Sequence, residues 1–464
     1  MKPSLSLLTL CLLLGACGTP AERPDSGIVP PSSWQSPHTD NATRNNRQWW
    51  TQFGSPQLDQ LIQQARSGSF DLAAAMARVR QAQAETVVAG GSLLPEVQAG
   101  LNANRQKLLR GSGYSQLDAD SSNKAVDYFD ANLSASYEID FWGGQRATRD
   151  SAQFGLKASE FDQATVELTL LSGVASGYAQ TLSLREQSRI AALNLTNAQN
   201  VLQLVQTRFD AGSATALELA QQKSLVAAQQ RQLPLVQQQA QDALISLATL
   251  LGQPVQQLTL AQERFDQLSW PTIGAGLPSD LLSRRPDIAR AEAQLSAAQA
   301  DVTVARAAML PTVTLSAELG SGADRAADLL RSPFYNLTAG LLAPVFNNGR
   351  LGAERDKATA RQEELLEIYR GAIINGFADV EKALNSIRGL DEQRQWQGEE
   401  LNQAQTAFSI AQSRYQAGAE DLLTVLETQR TLYAAQDLNV QLRLARLQAS
   451  IALYKALGGG WQVL

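Results

Sequence analysis

The side chains that run most nucleophilic and metal-dependent chemistry are scarce here. The single histidine, His38, stands in a polar N-terminal stretch, so a His-based triad, a His-rich metal site and an HExxH protease are excluded. Both cysteines, Cys11 and Cys17, fall within the first twenty residues, which leaves no structural disulfide or thiolate zinc site in the body of the chain. Glu138 and Asp140 lie two apart, on one face of an extended segment, as an acid–base pair could. No nucleophile or metal ligand clusters near them, and the lining of a wetted lumen explains them better. Ser121-x-x-Lys124 matches half of an acylase motif but lies in an expected surface loop. Gly458-Gly459-Gly460 ends a helix and lacks the GxxxxGK[ST] context of a phosphate loop. No catalytic constellation, metal site or bound cofactor emerges.

One residue does carry chemistry. Met1-Lys2 is a minimal basic start, Leu5 to Leu14 a short apolar run, and Leu14-Gly15-Ala16-Cys17 reads as a bacterial lipobox. Cleavage would remove residues 1–16 and leave Cys17 as an acylated N-terminus carrying, for example, palmitate. The apolar run is too short to span a bilayer, which takes ~20 residues. The alternative is an ordinary secretory leader with incidental cysteines. Gly18, where Asp would favour inner-membrane retention, is compatible with outer-membrane delivery. Residues 17–47, rich in Pro, Ser, Asn and Asp, read as an extended lipidated tether.

What must position any site is a large, ordinary-looking body. The chain has 464 residues, 44% apolar and 18% charged, so it is neither disordered nor a bundle of membrane helices. Its 39 basic and 45 acidic residues give a net charge of −6, which offers nucleic acid no electrostatic footing.

The body is a tandem repeat. Asp71-Leu72-Ala73 aligns with Asp287-Ile288-Ala289, and Leu94-Pro95-x-Val97 with Leu310-Pro311-x-Val313, at an offset of 216. Further on the offset becomes 206, where Arg208-Phe209-x-Ala211-Gly212 meets Arg414-Tyr415-x-Ala417-Gly418 and Leu250-Leu251-Gly252 meets Ala456-Leu457-Gly458. Residues 48–252 form one copy, 253–277 a linker, and 278–464 the second. Each copy reads as a helix, two strands and a long helical hairpin. In the first copy the opening helix runs from about Phe70 to Leu94 and ends at Pro95.

The strands, at about 96–106, 128–141, 312–320 and 335–346, alternate apolar and polar residues. Val97, Ala99, Leu101 and Ala103 interleave with Gln98, Asn102 and Asn104. Phe129 through Ile139 does the same against Asp130 through Glu138. Strands of ten or so residues with this dyad mark an outer-membrane barrel. A soluble sheet with one wet face is the alternative. Tyr128, Phe129, Phe141, Trp142, Phe334 and Tyr335, at the strand ends, fit interfacial aromatic girdles. Four strands cannot close a barrel, whose smallest form has about eight, and a bilayer tolerates no open edge. The strands must be pooled with other copies.

Residues 144–208 and 351–414 contain no proline and carry helical patterning. At 1.5 Å per residue each spans ~96 Å. Return helices at 215–251 and 421–457 complete two hairpins, with Gly212 and Gly418 as left-handed caps and Ser213 and Thr215 as candidate N-caps. Their Ala, Gln and Leu content suits a coiled-coil wall. A peripheral coiled-coil rod with no lumen is the bland alternative.

At this point the sequence resembles the outer-membrane factor family, the TolC-like exit ducts, in the lipoprotein branch that serves resistance-nodulation-division efflux pumps. The resemblance is carried by Gly276-Leu277-Pro278-Ser279-Asp280-Leu281-Leu282-Ser283-Arg284-Arg285-Pro286-Asp287-Ile288, by Ala307-Ala308-Met309-Leu310-Pro311, and by Tyr454-Lys455-Ala456-Leu457-Gly458-Gly459-Gly460-Trp461. It runs over about residues 48–462. It implies a mainly α fold with a transmembrane β-barrel: a homotrimer with a twelve-stranded barrel, four strands per chain, on a long periplasmic α-helical barrel. A periplasmic adaptor and an inner-membrane pump, of resistance-nodulation-division or ABC type, would complete an exporter. The implied role is a gated exit channel in the outer membrane for drugs, toxic compounds or siderophores. The hairpin tips Arg208, Phe209, Gly212, Arg414, Tyr415 and Gly418 match the family's adaptor-docking ends; turning a helix is their plain role. The family's gate, an apolar residue followed four positions on by an acidic one, maps to Leu423 and Glu427, with Leu217 and Gln221 as the first-copy counterparts. The family's acid is Asp, so Glu427 departs from the pattern, and a solvated coiled-coil carboxylate is the alternative. A coiled-coil envelope lipoprotein that transports nothing is the rival from another class.

Overall fold

A computed structural model of the chain describes residues 25–36, 47–107, 125–261, 263–270 and 273–461. Cys11, Cys17, His38, Ser121 and Lys124 lie outside the described residues. The order of elements is α1 (Pro56–Gly68), α2 (Phe70–Gly91), β1 (Glu96–Gln106), β2 (Val126–Ile139), α3 (Gly144–Asp210) and α4 (Ala216–Leu250). After the linker come α5 (Pro286–Ala307), β3 (Thr312–Ala323), β4 (Pro333–Leu342), α6 (Arg350–Gln416) and α7 (Leu422–Ala456). The two long helices each have 67 residues and the two return helices 35. At 1.5 Å per residue these are ~100 Å and ~52 Å long. Among the described residues no helix is long and apolar enough to cross a membrane.

The chain divides into two units. The first, built from residues 84–155 and 292–370 with the described N-terminal residues up to 28, holds the sheet. Its strands lie in the order β1-β2-β3-β4, all antiparallel. The register makes the sequence alternation two-dimensional. Ala99 faces Leu133, which faces Leu319, which faces Tyr335; Val97, Ala135, Ala317 and Leu337 form the next row. The other face carries Gln98, Ser134, Glu318 and Asn336 in one row and Ser136, Ser316 and Thr338 in another. Because the side-chain period is two, one register fixes both faces at once.

Several boundaries move. β2 begins and ends two residues before the expected span, so Phe141 and Trp142 fall in the turn after it. There Trp142 Nε1 donates to the Pro311 carbonyl at 2.7 Å. β3 runs on to Ala323. β4 stops at Leu342, leaving Ala343 and Val345 outside the sheet. The expected girdle residues do not all share one face. Phe129 and Tyr335 lie on the apolar face, whereas Tyr128 and Phe334 share parity with Asp130 and Asn336 and lie on the polar one. Helix α2 ends at Gly91, three residues before the expected Leu94, with a turn leading to Pro95.

The second unit spans residues 29–83, 156–291 and 371–464. Helix α1 starts on Ser55, whose Oγ accepts from the Leu58 amide, with Pro56 in the first turn where its missing N–H costs nothing. Leu58, Leu61, Ile62 and Ala65 form its buried stripe. Beside it Trp49 stacks on Tyr454 at 5.0 Å and meets Trp50 and Phe53 edge-on, an aromatic core with every member buried. Pro234 lies inside α4 without ending it. It forfeits one i→i−4 hydrogen bond, a local cost the packed 35-residue helix absorbs.

The family motifs meet in this unit. Buried Arg285 forks onto Asp287 at 2.7 and 3.0 Å, reaches Asp379 of α6 at 3.0 Å, and donates to the Ala456 carbonyl at the end of α7. Gly458 has φ +84°, and a Cβ there would run into the Arg284 carbonyl. The Arg-Arg-Pro-Asp and Gly-Gly-Gly-Trp segments are thus the two halves of one joint. The tether is not free throughout its length. Trp34 is buried against Phe377 and donates to the Gly276 carbonyl at 2.8 Å, and the Gln35 and Ser36 amides both donate to Glu381.

Candidate functional site

Two places gather the candidate residues: the sheet in the first unit and the hairpin tips in the second. On the sheet, Val97, Leu101, Leu319, Leu337 and Leu341 are more than half exposed, on a face with no polar side chain among its central rows. The opposite face forms its own hydrogen bonds, Asn102 Nδ2 to Asp130 at 2.8 Å and Asn132 Nδ2 to Glu318 at 3.0 Å. Among the described residues the outer edges of β1 and β4 have no neighbouring strand. An apolar face that large has a bilayer as its ordinary complement.

Glu138 and Asp140 part company. Glu138 pairs across to Thr314 on the polar face. Asp140 lies past the strand end and caps α3: its carboxylate accepts from the Gln145 and Arg146 amides and from Arg146 Nε, each at 3.0 Å. Partial burial works to raise this carboxyl; those hydrogen bonds and the Arg146 charge overcome it and hold the group below the ordinary carboxylate value. A carboxylate held ionised by a helix start is no general acid.

At the tips both hairpins close by the same device. The Ser213 amide donates to the Arg208 carbonyl and the Gly212 amide to Phe209; Ala419 and Gly418 repeat this with Arg414 and Tyr415. This is the Schellman pattern, and it requires the left-handed φ of +75° at Gly212 and +77° at Gly418. The N-cap of α4 is Thr215, in a full capping box with Glu218, and that of α7 is Asp421. Ser213 instead turns its Oγ back to the Arg208 carbonyl at 3.0 Å, because it belongs to the outgoing helix end.

The two tips share an Arg-aromatic-x-Ala-Gly pattern and differ in structure. Arg208 leaves its own hairpin, stacks its guanidinium 4.5 Å over the Tyr415 ring and donates to the Tyr415 carbonyl at 2.7 Å. Tyr415 is buried, whereas Phe209 is 37% exposed. Arg414 remains at the surface and pairs with Glu420 at 3.2 Å. Arg208 and Tyr415 therefore join the hairpins, and Phe209 and Arg414 form the outward pair.

Below the tips Val201, Val205, Leu219, Phe408, Leu422, Val425, Leu426 and Leu432 make one core from all four helices. Gln222 donates to the Ala198 carbonyl at 2.8 Å, and Tyr433 to that of Asn194 at 2.8 Å. Burial pushes the Tyr433 phenol up to about 12, so it remains a donor at any physiological pH. Leu423 and Glu427 lie on the other side of α7, both exposed, one helical turn apart. Leu217 is 67% exposed and Gln221 half-buried on α4. Among the described residues the Glu427 carboxylate meets no cation. The family resemblance singled out these four positions but not the ties through Gln222, Tyr433 and Arg208. Buried polar groups leave no periodic signal of their own, and only a Gln amid apolar spacing hints at them.

A two-faced antiparallel sheet with open edges, continued into 67-residue helices that end in tight hairpins, defines an outer-membrane duct. The model of the outer membrane efflux protein family matches residues 61–253 and 277–459, and the chain belongs to that family. It is 66% identical over 460 residues to the pyoverdine export outer membrane protein OpmQ of Pseudomonas aeruginosa, covering 99% of this chain and 97% of the relative. It is 30% identical over 464 residues to the cation efflux system protein CusC of Escherichia coli, covering 98% and 99%. The solved outer-membrane channel OprN superimposes with a TM-score of 0.88 at 27% identity, covering 96% of this chain and 99% of that one. The chain is an outer-membrane exit channel of an efflux system.

Proposed function

We propose that the cargo of this duct is a siderophore, that three copies pool their strands into one twelve-stranded barrel, and that Cys17 anchors each copy through lipid. The observation that carries the cargo is the 66% identity, over nearly the whole of both chains, to a protein named for pyoverdine export. The open edges of β1 and β4 support the pooled barrel, since unpaired strand edges are not tolerated in hydrocarbon. The chain catalyses nothing and needs no cofactor beyond its lipid. Energy enters through an inner-membrane pump of resistance-nodulation-division or ABC type and passes by way of a periplasmic adaptor that docks on Phe209 and Arg414. Leu423 and Glu427 ring the aperture and hold it shut until the adaptor shifts the helix pair. The test is export in a pyoverdine producer lacking its own exit duct. Expression of this chain should restore pyoverdine to the medium, and retention in the periplasm despite outer-membrane delivery of the chain would overturn the cargo.

A further inference from the structure

The end of the sheet away from its helices carries two aromatic side chains on the otherwise polar face. Tyr128 of β2 and Phe334 of β4 approach β3 from its two sides and bring the tips of their rings over Gly322 and Gly320. A Cβ on Gly320 would sit 2.6 Å from Phe334 Cζ, and one on Gly322 would run into the Tyr128 hydroxyl. Any larger residue at either position lifts a ring off the sheet. Both rings nevertheless remain exposed, at 43% and 45%, so each still offers surface to the space before the polar face. Of the four carboxylates on that face, Glu96 and Glu138 lie toward the helices, and two lie nearer the rings: Asp130, opposite Gly322, and Glu318, two residues from Gly320 on β3. Their amide partners Asn102 and Asn132 leave the negative charge uncompensated. The one basic residue in the four strands, Arg105, has the opposite parity and meets Asp127 there.

Flat π-faces beside uncompensated carboxylates recognise a flat aromatic cation. Its ring stacks on theirs, and its charge is drawn both to the ring faces and to the acids. We propose that Tyr128, Phe334, Asp130 and Glu318 form a cargo-contact site for flat aromatic cations near the loop-bearing mouth of the lumen. The proposal rests on the polar face being that lumen. The site is shallow and solvated, so it slows a passing molecule without trapping it.

The test titrates ethidium, a flat aromatic cation, into the purified full-length protein in detergent and follows fluorescence polarisation. Ethidium should bind, and tetraethylammonium, a cation without a flat ring, should compete at least tenfold more weakly. The combination Tyr128→Leu with Phe334→Leu, which keeps apolar bulk over the glycines, should lower ethidium affinity at least tenfold. Asp130→Asn with Glu318→Gln, nearly isosteric, should lower it severalfold and does not depend on the rings for folding. Unchanged affinity in either pair, or equal competition by tetraethylammonium, overturns the site. Reaction of Ser134→Cys with a water-soluble thiol reagent separates the two failures. Labelling without ethidium binding removes the site and leaves the lumen standing, whereas labelling of Leu133→Cys in its place removes the lumen reading itself.

Discussion

Arg285 shows how one side chain can hold two distant stretches of sequence together. It is buried and makes four hydrogen bonds, two to Asp287, one to Asp379 and one to the last carbonyl of α7. Burial alone would raise the Asp287 carboxyl; the Arg285 hydrogen bonds and charge prevail and hold it below the ordinary 3.8. A depressed folded-state pKa stabilises the fold above the unfolded value and is lost as pH falls through the folded one. Thermal stability should therefore drop below about pH 4, and Arg285→Ala should cost about 3 kcal/mol at neutral pH and flatten part of that acid limb. Calorimetry across pH 2–7 checks both. The proposed gate belongs to this scale too. Leu423 and Glu427 take no part in the core beneath them, so Glu427→Ala should leave the melting temperature within a degree or two while raising single-channel conductance severalfold. An unchanged conductance in planar bilayers would remove Glu427 from the gate.

At the scale of elements, the sheet is legible from its alternation because a period of two is unambiguous once both neighbours share it. Each face makes a separate prediction. Leu337→Arg places a charge on the apolar face and should destabilise the barrel by roughly 2–4 kcal/mol. Ser134→Arg on the polar face should be tolerated and should instead lower cation permeability. Heat-modifiable mobility on gels reads the first, and reversal potentials the second. The helices follow the same logic less evenly. Both hairpin ends were marked by Arg-x-x-x-Gly, and the Schellman closures require those glycines. Yet Tyr415 buried beneath Arg208, and Phe209 left outside, could not be read from a repeat that treats the two tips alike.

At the scale of the whole molecule, the decisive feature is what the chain leaves incomplete. Among the described residues, a four-stranded sheet with an exposed apolar face and two open edges satisfies neither its backbone nor its surface within one copy. The detergent-extracted protein should therefore have the native mass of three chains, and the trimer should survive moderate salt, since backbone pairing rather than surface charge closes the barrel. Native mass spectrometry at 0.1 and 1 M salt checks this. A stable monomer that still conducts would sink the pooled barrel.

The sequence alone determined the repeat, the number and parity of the strands, and the long helices and their glycine turns. All of these are local or periodic, written into spacing that any copy of the chain must obey. Tertiary structure alone decided which ends of the strands count, which aromatics face water, and which arginine crosses between hairpins. It also decided that Asp140 starts a helix while Glu138 stays on the polar face of the sheet, and that Trp34 pins the tether. Such outcomes depend on which residues meet across hundreds of positions, and the free energy of a contact between distant residues is not contained in the periodicity of either one.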